Sequence, residues 1–447
     1  MNTPLASESD FRRFAETILS ASKANDTFVN FNDSESTTLR FANNQVVQHV
    51  SESGPNLSVR AAFGQKVGSA GTNQLDKDAL LATLRRAEEL ARFAPDDPEY
   101  LAPLPPQNYL DLPTYRAATV RMTPADLARE VEPVIARCEK NKLTGAGIFS
   151  AGAGARGVAA SSGLFGFESS TSSEFSLTAT AAETDSSGWT FNSHRNVNAL
   201  DVRDRSARAV DKALKSANPV ELPAGKYPVI LEPAAVAGAL GMIFFSLSAK
   251  NYYKGNSALA GKLGATIFDE RITMRTDPTH PDLMGSRFGG GFGGGEGLAT
   301  RPMTWVENGV LRQLSYDRFT AKEHNVEPTP FPSSPILSIS GKLSRSTEAL
   351  IADTDRAVLV TNFWYIRMVD PRDLTITGMT RDGTFLVENG KIVGGVKNFR
   401  FHESPLRAFA KVEAATAPQE AITMERGKML LPAVRLPEFN FSSVTKF

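Results

Sequence analysis

The sequence predicts an α+β protein, with an N-terminal domain of duplicated helix–strands–helix units and a C-terminal β-rich domain around one buried helix. Three observations predict it. A helix, several strand-like segments and a second helix occur in that order twice before residue 220. Proline-rich stretches separate the repeats, and two Asn-Gly hairpin signatures fall beyond residue 300. The domains are drawn at 1–220 and 226–447, the first made of units at about 1–94 and 121–218 joined by a proline-rich connector.

Each element has a local reason. Phe11, Phe14, Ala15, Ile18 and Leu19 recur at helical spacing behind a Ser9 or Asp10 cap. Short strands are expected at Phe28 to Phe31, Thr37 to Phe41, Gln45 to Val50 and Leu57 to Phe63, with turns at Asn43-Asn44 and Gly64 to Lys66. A second helix is expected from about Lys77 to Phe93, striped by Leu80, Leu84, Ala87 and Ala91. Six prolines between Pro95 and Pro113 then hold the chain extended. Thr123-Pro124 is a cap and first-turn signature for a helix through Leu127, Val131, Val134 and Cys138. Short strands are expected within Ala146 to Phe191, and Asp201 opens a helix with Ala207, Val210 and Ala213 inward. Pro233 to Ala249 is uncharged and about 17 residues long, at the lower edge of what spans a bilayer, and reads as one buried core helix. W-V-E-N-G-V-L (Trp305 to Leu311) and L-V-E-N-G-K-I (Leu386 to Ile392) each place Asn-Gly between strand formers, the signature of a type I′ hairpin.

Composition narrows the function. The chain has 447 residues, 41% of them hydrophobic, and 49 basic residues balance 49 acidic ones. A nucleic-acid binder normally carries a basic excess, so that class is disfavoured. The start, Met1 to Asp10, has no basic-then-apolar leader, and the expected location is cytoplasmic, with no membrane partner. The one cysteine, Cys138, excludes an intramolecular disulfide and any zinc site with two thiolates, and it lies on the inner stripe of its helix as inert packing. The five histidines are scattered, so no local histidine-pair motif exists.

Other motifs are weak. The run Gly285 to Gly297 is glycine-rich, but it lacks the Gly-Lys-Ser/Thr of a P-loop and the strand-before, helix-after context of a dinucleotide turn. It reads as a loop bordering a cavity or subunit contact, with Phe288, Phe292, Glu296 and Arg301 as the candidate contact residues. Asp277, His280 and Asp282 sit among Pro278 and Pro281 and read as a solvated turn rather than a metal cluster. His324 follows a short helix, Arg318 to Glu323, and reads as a surface imidazole.

The blocks Gly54 to Arg60, G-Q-K-V-G-S-A-G (Gly64 to Gly71), K-G-N-S-A-L-A-G-K-L-G (Lys254 to Gly264), E-G-L-A-T-R (Glu296 to Arg301) and the two V-E-N-G phrases together resemble the TldD/PmbA (TldE) family. This family carries the historical label of DNA gyrase modulators and is regarded as a peptidase system. In its TldD branch, the resemblance implies, an H-E-x-x-x-H helix and a C-terminal cysteine hold a catalytic zinc, with the glutamate as general base. The matching stretch here is L-G-M-I-F-F, Leu240 to Phe245. Leu240 and Phe245 stand at the histidine positions, with Phe244 beside them, and Gly241 stands at the base. The cysteine would fall near Met424 to Gly427, where there is none. A catalytic zinc needs three protein ligands. The chain therefore resembles the metal-less PmbA/TldE branch, with no catalytic residue, no metal and no cofactor of its own.

The resemblance implies a non-catalytic subunit of a metalloprotease complex that processes short or unfolded peptides. Its partner would be a TldD-like chain carrying zinc in a heterodimer, or a second copy of itself, and peptide recognition would be by β-strand addition. Two alternatives stay open: a stand-alone divergent enzyme using the same cavity without zinc, and a non-cleaving peptide-binding homodimer.

Overall fold

The structure, a computed structural model, describes residues 5–289, 296–423 and 427–445. Chain order in the first half is α1 (Glu8–Ala21), β1 (Asp26–Ala42), β2 (Gln45–Phe63), β3 (Lys66–Thr72), α2 (Lys77–Phe93), a single turn α3 (Ala117–Val120), α4 (Pro124–Lys140), β4 (Thr144–Ala160), β5 (Phe165–Ala181), β6 (Ser186–His194) and α5 (Val202–Lys215). The expected repeat is present: helix, three strands, helix, twice. Its strands form one antiparallel sheet, β3-β2-β1-β4-β5-β6, in which β1 of the first unit pairs with β4 of the second from Phe28↔Ala160 to Phe41↔Gly147. The helices cover one face. Phe11, Phe14, Leu80 and Leu84 fill one core beneath them, and Leu127, Val131, Phe149 and Phe175 fill the other.

Two local expectations need correction. The strands are not short: β1 and β4 run 17 residues and β2 runs 19. Polar residues such as Asp33 to Ser36 look like a break, yet β1 is hydrogen-bonded on both sides, to β2 and β4, so its backbone groups are satisfied without an apolar side-chain pattern. The cap of α1 is Ser7, not Ser9 or Asp10. Its hydroxyl accepts from the Asp10 amide while the Asp10 carboxylate accepts from the Ser7 amide, a reciprocal capping box.

The second half begins with β7 (Gly225–Leu231) and the helical segments α6 (Pro233–Leu240), α7 (Ile243–Ser246) and α8 (Ala249–Tyr253). Then come β8 (Ile272–Thr276), β9 (Met303–Glu307), β10 (Val310–Leu311), α9 (Arg318–Glu323), β11 (Pro335–Ile339), α10 (Thr347–Ala352), β12 (Arg356–Val360), β13 (Phe363–Asp370) and β14 (Thr375–Thr380). The chain ends with β15 (Thr384–Glu388), β16 (Lys391–Gly395), β17 (Phe399–Glu403), α11 (Pro405–Ala408), β18 (Ala414–Ala415), β19 (Gln419–Thr423), β20 (Gly427–Leu431) and β21 (Val434–Val444). They build a six-stranded sheet, β10-β9-β8-β11-β20-β19, and a nine-stranded sheet ordered β13-β14-β17-β21-β7-β12-β15-β16 with β18 beside β21.

The expected single helix over Pro233 to Ala249 is broken into α6, α7 and the start of α8. The segment is apolar all round, so it has no period to reveal where it breaks. As expected it is core: α6 is buried with side chains of both C-terminal sheets, including Val229, Leu231, Trp305 and Met429. Both Asn-Gly pairs adopt positive φ, 49° and 76° at Asn308-Gly309 and 48° and 76° at Asn389-Gly390, as type I′ turns require. Phe399 and Phe401 on β17 and Phe439 and Phe441 on β21 alternate inward as a ring cluster, with Phe399 and Phe441 stacked at 4.5 Å.

Candidate functional site: an inter-domain seam around Leu240 to Phe245

The face of the N-terminal sheet opposite its helices meets the C-terminal domain. Strand alternation decides which side chains look that way: Phe175 and Leu177 enter the helix-covered core, so Glu174 and Thr178 face the seam, with their cross-strand partners Ser193 and Trp189. Ion pairs hold the seam. Lys212 of α5 meets Glu232, the residue before α6, at 2.6 Å; Arg205 of α5 meets Glu420 of β19 at 2.5 Å; and Glu296 bridges Arg60 of β2, at 2.5 Å, to Arg318 of α9.

The stretch Leu240 to Phe245 crosses this seam between two cavities. On one side Gly238, Gly241 and Met242 border a space of about 190 Å³ whose other walls include Trp189, Trp364 and Tyr365. Tyr365 has φ +55°, an unusual conformation for an aromatic residue. It sits at a bulge in β13, an edge strand of the nine-stranded sheet. On the other side Phe244 borders a space of about 360 Å³, shared with Glu174, Ser193, Met284, Phe331 and Lys428. The two chain regions that the family resemblance singled out, the L-G-M-I-F-F stretch and the strand after Met424, thus meet at one cavity. Met424 itself, with Glu425 and Arg426, lies outside the described residues.

Charge is unevenly placed there. Lys428 has a side chain only 1% exposed, and its ammonium lies 2.6 Å from Glu420. Burial lowers its pKa, with Glu420 opposing that effect. Glu174 makes no ion pair among the described residues, and burial raises its carboxyl pKa. Burial, followed by the charge of Lys428, lowers the pKa of His194, whose Nδ1 accepts the Asn196 amide at 2.8 Å.

The zinc positions carry no donors: Leu240 is core, Gly241 has no side chain, Phe244 is buried and Phe245 is 50% exposed. Among the described residues no three His, Cys, Asp or Glu side chains converge on one point. The described residues at these positions do not fit a zinc ion. Cys138 is buried and burial pushes its thiol up to about 11. Asp277 accepts from Thr279 and Arg275 in a turn, and His324 lies exposed with its ring stacked on Tyr253 at 3.5 Å.

The glycine-rich run is placed as follows. Phe288 is 1% exposed and packs with Phe28, Leu104, Val158 and Leu164, with the Arg156 guanidinium 5.2 Å from its ring centre. Glu296 is engaged by its two arginines, and exposed Arg301 donates to the Pro328 carbonyl at 3.3 Å. Phe292 lies outside the described residues. None of Phe288, Glu296 and Arg301 borders the two cavities described above. Sequence reasoning did not find Glu174, Trp189, Tyr365 or Lys428. Lys428, a cation inside the run K-M-L-L, was the one locally visible signal.

Comparison with known proteins agrees with this architecture. Residues 29–91 match domain 1 of the PmbA/TldA metallopeptidases, 119–217 match their central domain and 224–443 their C-terminal domain. An uncharacterised protein of Methanocaldococcus jannaschii is 30% identical over 251 residues, covering 53% of this chain and 56% of that protein. A metalloprotease of Methanothermobacter thermautotrophicus is 31% identical over 133 residues, 29% of this chain and 28% of that protein. These alignments thus span little more than half of the relatives' length at most. The crystal structure of TldE from Thermococcus kodakarensis superposes with a TM-score of 0.86 at 21% identity, covering 98% of this chain and 100% of that one. That of a candidate DNA gyrase modulator from Thermotoga maritima gives 0.84 at 20% identity, covering 96% and 99%. Such identities speak to the fold alone. With all three domain descriptions matched in order, the chain belongs to the TldD/PmbA family of metallopeptidases.

Proposed function

We propose that this chain is the non-catalytic subunit of a two-chain metallopeptidase of the TldD/TldE type, paired with a TldD-like chain that supplies the zinc. The complex processes short or unfolded peptides. One observation carries the reading: in a chain matched over all three family domains, the stretch that crosses the seam presents Leu240, Gly241 and Phe245 where metal chemistry needs two imidazoles and a carboxylate. Water becomes a nucleophile at neutral pH through a metal or a positioned base, and those positions offer neither. The likeness to a TldE structure supplies the fold that this reading needs. Of the residues expected at the subunit contact, Arg301 is exposed, whereas Phe288 and Glu296 are engaged within the chain.

The test is to purify the chain alone and with an H-E-x-x-x-H partner from the same cell. The expected outcome is a stable heterodimer holding zinc in the partner, with chelator-sensitive peptide hydrolysis seen only in the mixture. Chelator-resistant hydrolysis by the single chain would replace this reading with a stand-alone enzyme. A stable homodimer that holds peptides, ignores the partner and never cleaves would replace it with a binding protein.

A further inference from the structure

The smaller cavity is an aromatic pocket set where the domains meet. Trp189 reaches it from β6 of the N-terminal sheet, and Trp364 and Tyr365 reach it from β13. Its depth is formed by Ala237, Gly238 and Gly241, all buried, and the two glycines leave that depth empty of side chains. Trp364 is 42% and Tyr365 54% exposed, so the pocket opens to solvent past these rings. The rim is built by the bulge in β13. Pairing with β14 jumps from Trp364↔Met379 to Arg367↔Thr377, so two residues stand opposite one and the strand turns there. Tyr365 in that bulge holds φ +55°, which an aromatic residue keeps only where its surroundings impose it.

Charge and size decide what fits. Two charged residues line the pocket, Arg381 and Asp382, with the Arg381 Nε 3.8 Å from the Asp382 carboxylate and its guanidinium 5.0 Å from the Trp364 ring centre. Burial raises the Asp382 pKa, opposed by Arg381 and by Lys212, and Lys212 is itself paired with Glu232 at 2.6 Å. Outside, exposed Arg367 lies 4.2 Å from the Tyr365 ring centre. A cationic ligand would meet Arg381 and Arg367, and an anionic one would meet Asp382 between apolar walls, so the pocket matches a neutral group. Its volume of about 190 Å³ lies below the roughly 300–1,000 Å³ of sites that enclose whole small molecules and suits one large side chain. Indole and phenol walls favour a second ring, because ring pairs gain from offset or edge contact beyond what burial alone supplies.

We propose that this pocket holds one neutral aromatic side chain of a bound peptide against the rings of Trp189, Trp364 and Tyr365, so that this chain selects peptides by an aromatic residue. The inference rests on the peptide-processing reading only for the source of the ring. It is tested on this chain alone, so its failure would leave the partner's zinc and peptidase rate untouched, and failure of the two-chain reading would leave the ring preference standing.

The experiment measures, by calorimetry on the full chain, binding of N-acetyl-Ala-X-Ala-amide with phenylalanine, cyclohexylalanine, lysine or glutamate at X. Cyclohexylalanine keeps the size and apolarity of phenylalanine but has no π face. The phenylalanine peptide is expected to bind about fivefold more tightly than the cyclohexylalanine one, and the lysine and glutamate peptides about tenfold or more weakly than phenylalanine. Trp364→Leu, at the exposed rim, should erase the preference for phenylalanine over cyclohexylalanine, and Trp364→Phe should keep it. The comparison of peptides on the unaltered chain decides the matter if either variant fails to fold. Equal or tighter binding of cyclohexylalanine, lysine or glutamate, no binding of the phenylalanine peptide, or a ring preference that survives Trp364→Leu would each overturn the proposal.

Discussion

Gly68 and Gly188 occupy matching places in the two N-terminal units, and each lies against a helix backbone. A Cβ on Gly68 would fall 2.2 Å from the Ala91 amide nitrogen and 2.4 Å from the Ala87 carbonyl; one on Gly188 would fall 2.0 Å from the Ala209 carbonyl and 2.7 Å from the Ala213 amide nitrogen. The same device, a strand glycine under an Ala-x-x-x-Ala helix, therefore recurs in both units, which is stronger evidence of duplication than their slight sequence identity. Gly188→Leu must push α5 off β6, and a loss of about 3 kcal/mol in urea unfolding is expected. A loss under 0.5 kcal/mol would mean the helix is not seated this closely. A second residue-scale effect concerns acid. Burial alone would raise the Asp269 pKa, but hydrogen bonds from the Arg271 guanidinium and the Val412 amide outweigh it and bring the carboxyl down to about 2. A carboxyl depressed in the folded state contributes stability above its unfolded value near 4 and loses it as pH falls from about 4 toward 2. Asp269→Asn should flatten the unfolding curve in that window, and an unchanged acid limb would show that other carboxylates set it.

At the scale of elements, legibility followed local signals. Helix α2 was readable because its stripe keeps one phase from Leu80 to Ala91, and the structure adds an Asp76 cap that the reading did not use. The Asn-Gly hairpins were readable because their turn chemistry is local. The full lengths of β1 and β2 were not, since a strand held by two neighbours needs no apolar pattern at Asp33 to Ser36. The hairpins also show where a turn is pinned from outside. A Cβ at Gly309 would lie 2.5 Å from the Phe268 carbonyl, and one at Gly390 would lie 2.7 Å from that of Ala352. Gly309→Ala therefore meets both a positive φ and a backbone clash, and should lower stability by about 2 kcal/mol. Asn308→Gly keeps the turn and should change it by only a few tenths. Similar losses from both substitutions would show that the Asn308 side chain, not the backbone, holds the turn.

At the scale of the whole molecule, the candidate site was legible only in its absences. L-G-M-I-F-F lacks ligands in plain view, but the cavities beside it are assembled from Glu174, Phe244, Phe331 and Lys428, which lie on four separate segments and share no local pattern. The seam that gathers them depends on charges contributed from both domains. Glu296 bridges the two domains, 20% exposed, with Arg60 from the N-terminal sheet on one oxygen and Arg318 from the C-terminal domain on the other. Arg318 also donates to the Ala102 carbonyl in the connector, so this one side chain ties three segments together. Removing the carboxylate leaves two partly buried guanidiniums facing each other. Because the site keeps some solvent, the cost should be about 2 kcal/mol, below the roughly 3–5 kcal/mol of a fully buried pair. The loss falls on the contact between domains rather than within either core, so it should appear as lost cooperativity. Wild-type protein is expected to unfold in one calorimetric transition, and Glu296→Ala in two, with the lower one weakened further by salt as the remaining Lys212–Glu232 and Lys250–Glu99 pairs are screened. A single transition at the wild-type temperature in the variant would show that the Glu296 bridge does not couple the domains.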